Sequence, residues 1–221
     1  DRKSLKDGVA LKDALHEILL NKLAASEGEI NFDGCKKPFV MFVVGVNGVG
    51  KTSLLKLISG LRLAWRGTCM TLGYDAHRRE LEMLQDTFIL LDEVPASRHS
   101  ALALAKERAD FYPRFDQQLY GDLLAELEVA AGVPMKQLST GQRKKAMIAF
   151  GVATGCRLLL LDEPTNGLDI PSKSAFRRLI ARCVDGQRCI VVSTHQILEV
   201  ENLLDSVVIL EGGRVVFQAD L

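Results

Sequence analysis

Residues 39–52 read Phe-Val-Met-Phe-Val-Val-Gly-Val-Asn-Gly-Val-Gly-Lys-Thr, and residues 158–169 read Leu-Leu-Leu-Leu-Asp-Glu-Pro-Thr-Asn-Gly-Leu-Asp. The first is a run of β-branched and aromatic residues, which reads as a buried strand, leading straight into a glycine loop. The loop, Gly45–Thr52, has the complete form G-x-x-x-x-G-K-[ST]. Gly45, Gly48 and Gly50 let the backbone N–H groups of Asn47, Val49 and their neighbours converge on phosphate oxygens without Cβ clashes. A helix follows at 52–61 and points its positive end at the same place. Lys51 would reach the β and γ phosphates, Thr52 would ligate magnesium, and Ser53 would touch the α phosphate.

The second stretch is an apolar strand ending in two adjacent carboxylates. Asp162 would hold the ion, and Glu163 would place or polarise an attacking water. A competing stretch, Phe-Ile-Leu-Leu-Asp-Glu at 88–93, is also an apolar strand with an Asp-Glu tip and on spacing alone could be the metal strand, but its surroundings lack the other motifs, so Asp162 is the expected ligand. Leu138–Gln142 reads Leu-Ser-Thr-Gly-Gln and opens a helix at Ser139, which presents hydroxyl and backbone donors at a positive helix end. His195 closes the strand Cys189–Ser193 after Thr194. That is the sheet edge where parallel α/β folds bind ligands.

The remaining pattern is an alternation of strands and helices. Strands are expected at 68–74, 88–91, 158–161 and 189–193, a helix at 172–184, and a hairpin of 206–210 with 214–217 turning at Gly212–Gly213. Residues 100–131, rich in Ala, Leu and Glu, predict helices in a lobe of their own. This implies an α/β fold: a three-layer P-loop NTPase architecture with a mostly parallel sheet and a helical subdomain at about 96–137. Apolar positions from Leu5 to Leu23 predict an amphipathic helix, so the chain divides into an N-terminal helical segment with linker, 1–36, and a core, 37–221.

Composition excludes several classes. Lys plus Arg and Asp plus Glu balance at 28 each in 221 residues, so no global charge invites nucleic acid. The longest apolar run is too short to span a bilayer. No secretion segment is read at the N-terminus, and the odd cysteine count, 5, with no C-x-x-C pair, reads as reduced thiols. The expectation is a cytoplasmic protein, or one at the inner face of a membrane through a partner.

From about 51 to 217 the chain resembles the nucleotide-binding domains of ATP-binding cassette (ABC) transporters. The phosphate loop, the Leu138–Gln142 signature, the strand Leu158–Glu163, the loop Gly167–Asp169 and His195 occur in that family's order. Thr140 stands where Gly is more usual, and Asp92 or Glu93 where Gln is usual. Phe111–Asp116 and Asn166–Asp169 look like bacterial exporter-type ATPases. The resemblance implies ATP as substrate, Mg2+ as cofactor and a head-to-tail homodimer. Each ATP would lie between the phosphate loop of one copy and Ser139, Gly141 and Gln142 of the other, near Asp169. Any transport role would need a separate membrane permease subunit.

Residues 4–52 look instead like the helical N domain and first strand of the signal-recognition-particle receptor GTPase. A chimera with its crossover inside the phosphate loop follows as an expectation. The guanine-reading Thr-Lys-x-Asp motif is missing downstream, and so is the adenine-stacking aromatic of the cassette. Weak base discrimination is expected, with GTP as an alternative substrate and a folded, non-catalytic scaffold as a third reading.

Overall fold

The computed structural model describes residues 39–183, 188–195 and 205–220. The expected helix at 4–23 and the linker after it lie outside the described residues. Six strands form the main sheet: β1 (Phe39–Val44), β4 (Thr87–Leu90), β5 (Leu158–Asp162), β6 (Cys189–Thr194), β7 (Ser206–Glu211) and β8 (Arg214–Asp220). Their order is β4-β5-β6-β1-β7-β8, parallel except for the terminal β7–β8 pair. A two-strand ribbon, β2 (Met70–Thr71) and β3 (Tyr74–Asp75), stands apart. The helices are α1 (Lys51–Ile58), α2 (Leu81–Gln85), α3 (Ala101–Arg108), α4 (Gln117–Glu126), α5 (Thr140–Ala153) and α6 (Ile170–Cys183). The sequence reading had not separated α2 from its surroundings.

Both faces of the sheet are covered, which is why its central strands are apolar throughout. Side chains alternate across a strand, so each strand divides its residues between two cores. Phe39, Met41, Val43, Leu158, Leu160 and Val191 pack with Leu55 on the α1 face. Val40, Phe42, Val44, Leu159, Leu161, Ile190 and Val192 pack on the opposite face with α5, α6 and the helical lobe. Each fully buried Leu or Phe here contributes on the order of 2 kcal/mol. This division decides the site, because it assigns a face to every residue at the strand tips.

The helical lobe is tied down by aromatic rings. Phe150 of α5 lies 5.1 Å from Phe115, 5.8 Å from Tyr120, and 5.9 Å from both Phe88 and Tyr112, centroid to centroid. Most of these contacts are tilted or edge-on, the arrangement that aromatic quadrupoles favour. Through this cluster α3 and α4 brace α5, whose N-terminus carries the Leu138–Gln142 signature.

Candidate functional site

The glycine loop turns sharply between β1 and α1. Gly50 caps α1 with φ near 108°, a conformation that side-chain-bearing residues rarely adopt. At Gly45 the constraint is space, since a Cβ there would sit 2.7 Å from the Leu210 carbonyl oxygen. Beside the loop lies a cavity of about 250 Å³, lined by Asn47, Gly48, Gly50, Lys51, Thr52, Ser53, Asp92, Asp162 and Glu163. Val49 instead packs its side chain against the apolar core on the α1 face, leaving its backbone to face the loop. Lys51 is 6% exposed and curls over its own loop, donating to the Gly45 carbonyl at 2.5 Å and that of Val46 at 3.3 Å. The Ser53 hydroxyl accepts from Arg62 at 2.8 Å.

Alternation explains Asp162. It continues the phase of Leu158 and Leu160, so it emerges on the α1 face, where Thr52 Oγ1 donates to its Oδ2 at 2.6 Å. Ser193 is its register partner on β6 and donates to Oδ1. Glu163 then leaves the strand with φ 45°, a left-handed turn unusual for a residue with a side chain. Its N–H donates to the Ser193 carbonyl at 3.1 Å and lies 3.2 Å from the Ser193 hydroxyl. The turn swings its carboxylate between Lys51 Nζ, 3.3 Å from Oε1, and His195 Nδ1, 2.9 Å from Oε2. Oε1 is buried at ion-pair distance from Lys51 but makes no hydrogen bond.

The rival carboxylate at 92 has a different setting. β4 ends at Leu90, and Phe88 and Leu90 belong to the core on the α5 face. Asp92 reaches the cavity wall but is engaged from behind by Lys144 Nζ at 2.7 Å and by Asn166 Nδ2 at 3.3 Å. The Thr52 hydroxyl meets Asp162 instead, so of the two Asp-Glu tips it is 162 that bonds to the helix after the phosphate loop. The residues fit a magnesium ion: a hydroxyl and a carboxylate, both hard oxygen donors, converge at the phosphate loop, and an unbonded Glu163 oxygen lies nearby.

The signature lies elsewhere. Ser139 caps α5, its hydroxyl accepting from the Gln142 N–H at 3.1 Å, and a Cβ on Gly141 would be 3.1 Å from the Gly167 carbonyl oxygen. Ser139, Gly141 and Gln142 are not among the residues lining the cavity of this chain. Asp169 accepts from the Ser172 N–H at 2.8 Å at the start of α6, and these hydrogen bonds hold its carboxyl below the usual range. Ser193 and Lys144 were missed by sequence reading. A serine at the end of the apolar run Cys189–Val192, in register with Asp162, was the available signal for the first. None singles out Lys144 from Lys145.

A glycine loop between strand and helix, facing a carboxylate at the tip of a strand one removed in the sheet, defines a P-loop NTPase fold. The family model described as ABC transporter matches residues 29–166, and the chain belongs to that family. It is 34% identical over 165 residues to the cytochrome c biogenesis ATP-binding export protein CcmA of Novosphingobium aromaticivorans, covering 74% of this chain and 78% of that one. It is 30% identical over 199 residues to the ABC transporter ATP-binding protein NatA of Bacillus subtilis, covering 84% and 78%. The dimeric post-hydrolysis structure of the cassette MJ0796, bound to ADP and Pi, superposes with a TM-score of 0.73 at 21% identity, covering 89% of this chain and 94% of that one. The family match begins at residue 29 and runs across the loop. The strand and loop at 39–52 therefore lie inside the cassette match, and the crossover expected within the loop is not supported. Among the described residues, no helix is long and apolar enough to cross a membrane.

Proposed function

We propose that this chain binds ATP and hydrolyses it with magnesium, as the nucleotide-binding subunit of a transporter. The observation that carries the reading is the contact of Thr52 with Asp162, with Glu163 held between Lys51 and His195 at the same cavity. The amides of Gly45–Thr52 and the Lys51 ammonium would take the phosphates. Thr52 and Asp162 would hold magnesium, which when bound neutralises charge on the phosphate oxygens. Glu163 would orient water for in-line attack and accept its proton, and His195 would keep that carboxylate aimed while serving the γ phosphate. Ser139, Gly141 and Gln142 of a second copy, with Asp169 beside them, would close the site from across a head-to-tail dimer. MJ0796, whose solved structure is dimeric, supports that arrangement, and the likeness to CcmA, an ATP-binding export protein, and NatA, an ABC transporter ATP-binding protein, supports a separate membrane permease as partner.

The test is magnesium-dependent phosphate release. Glu163→Gln should slow turnover by at least about a hundredfold while ATP still binds, and Lys51→Ala should weaken binding itself. Unchanged release in Glu163→Gln would remove the assignment. Competition between ATP and GTP reads base selectivity in the same assay, and a GTP preference above tenfold would overturn the choice of ATP.

A further inference from the structure

Lys144 is 1% exposed, on a helix whose N-terminus belongs to the signature, and the chemistry proposed above does not use it. An ammonium has three N–H donors and must place all of them when buried. Its acceptors are Asp92 Oδ1 at 2.7 Å, the Glu163 carbonyl at 3.0 Å and the Asn166 carbonyl at 3.0 Å. Those acceptors belong to two segments far apart in sequence: the exit of β4, and the Glu163–Asn166 turn after β5. The first of the two carbonyls is in the peptide that follows the left-handed Glu163. The Glu163 N–H is bonded to Ser193, and its carbonyl accepts from the Asn166 N–H at 3.1 Å within the turn and from Lys144, which also ties this turn to the exit of β4.

We infer that Lys144 is a positioning residue. Its buried ammonium holds the Glu163 turn that aims the water-orienting carboxylate, and it neutralises the Asp92 carboxylate on the wall of the triphosphate cavity. The inference deepens the hydrolytic reading and rests on it. The two roles separate chemically. Holding the Glu163 backbone is a matter of hydrogen-bond donors and governs turnover. Neutralising Asp92 is a matter of charge and governs how readily a polyanion enters, since an uncompensated carboxylate beside the phosphates repels them.

The experiment compares wild type, Lys144→Met, and Lys144→Met with Asp92→Asn. It measures phosphate release at saturating magnesium, MgATP affinity by calorimetry, and thermal unfolding. Lys144→Met should lower kcat at least tenfold and weaken MgATP binding at least fivefold. The double variant should regain the binding and not the turnover. A merely structural lysine would lower the melting temperature and leave kcat and affinity within twofold of wild type in the folded protein, which overturns the inference. Recovery of turnover together with binding in the double variant overturns it as well, because charge alone would then account for Lys144. Should the Met variant not fold, Lys144→Gln, an uncharged head that keeps two N–H donors, should weaken MgATP binding at least fivefold while holding kcat within threefold of wild type, and an equal loss of both would overturn the inference. A wild type that releases no phosphate refutes the hydrolytic reading separately, and the affinity measurements still decide the pairing of Lys144 with Asp92.

Discussion

Replacing Ser193 by Ala removes one oxygen from the wall behind the Asp162 carboxylate. Ser193 is completely buried, and its hydroxyl donates to Asp162 Oδ1. The hydroxyl also lies within reach of the Glu163 N–H, but that N–H keeps the Ser193 carbonyl at 3.1 Å as an acceptor. The loss therefore falls on Asp162 alone. A hydrogen bond to a charged group contributes about 1.5–3 kcal/mol. For a protein of this size that lowers the melting temperature by about 3–12 °C. Asp162 would retain the Thr52 donor on Oδ2 but lose what fixes the other oxygen. Loss of such an outer partner typically costs about 10–100-fold in metal affinity or activity. The assays are scanning calorimetry and phosphate release as a function of magnesium concentration. The half-saturating magnesium concentration should rise at least tenfold in Ser193→Ala. A lower melting temperature with an unchanged magnesium requirement would refute the reasoning. It would mean that strand register and Thr52 orient Asp162 without help.

Gly151→Ala should destabilise the protein, because the new Cβ would sit 2.5 Å from Phe88 Cε1 and 3.1 Å from Leu159 Cδ1. Overpacking of about 1–3 kcal/mol outweighs the helix-propensity gain of roughly 0.5–1 kcal/mol, and a raised melting temperature would contradict the packing described for α5. Burial pushes the Cys156 thiol up to about 11. At pH 8 only about a thousandth of it is thiolate, so it should resist iodoacetamide in the folded protein and react on unfolding, as mass spectrometry would read. Asp169, held below the usual carboxylate range by Ser172, stabilises the folded state above the unfolded carboxyl value of about 3.9. That contribution disappears as pH falls through the lower folded value, so Asp169→Asn, which still accepts the hydrogen bond, should lose less stability than wild type between pH 5 and 3, counted as about two units around that value. Equal acid sensitivity in denaturant melts would argue against the cap.

How far the site was legible follows from which signals are local. The phosphate loop declares itself because its glycines, lysine and threonine act within eight positions of one another, and β1 and α1 flank it in sequence as in space. The choice of Asp162 over Asp92 rested on the motifs around it and not on the two strands themselves. An unbroken apolar run such as Leu158–Leu161 has no alternation, so it does not say which residues face α1 and which face α5. Only the packing supplies that phase, and with it the side of the sheet on which the following aspartate emerges. Lys144 was hidden for a related reason. It sits beside Lys145 in a helix, and its burial depends on a carboxylate after β4 and two carbonyls of the turn after β5 meeting at one point.

The splice between two families failed for an instructive reason. Gly-Val-Asn-Gly-Val-Gly-Lys-Thr is shaped by the polyanion it would wrap: convergent N–H groups, positive φ at Gly48 and Gly50, and a lysine at the start of a helix. Any fold that grips a triphosphate in this way arrives at nearly the same eight residues, and any parallel sheet with two covered faces precedes them with an apolar strand. The stretch 39–52 thus reports a physical task rather than a lineage. Lineage is carried where the chemistry leaves freedom, in the order and spacing of Leu138–Gln142, Asp162–Glu163, Asp169 and His195. The match to the ABC family runs from residue 29 to 166, so the loop, Leu138–Gln142 and Asp162–Glu163 lie in one matched unit. Asp92, on the cavity wall, is met by the buried Lys144 ammonium as well as by solvent.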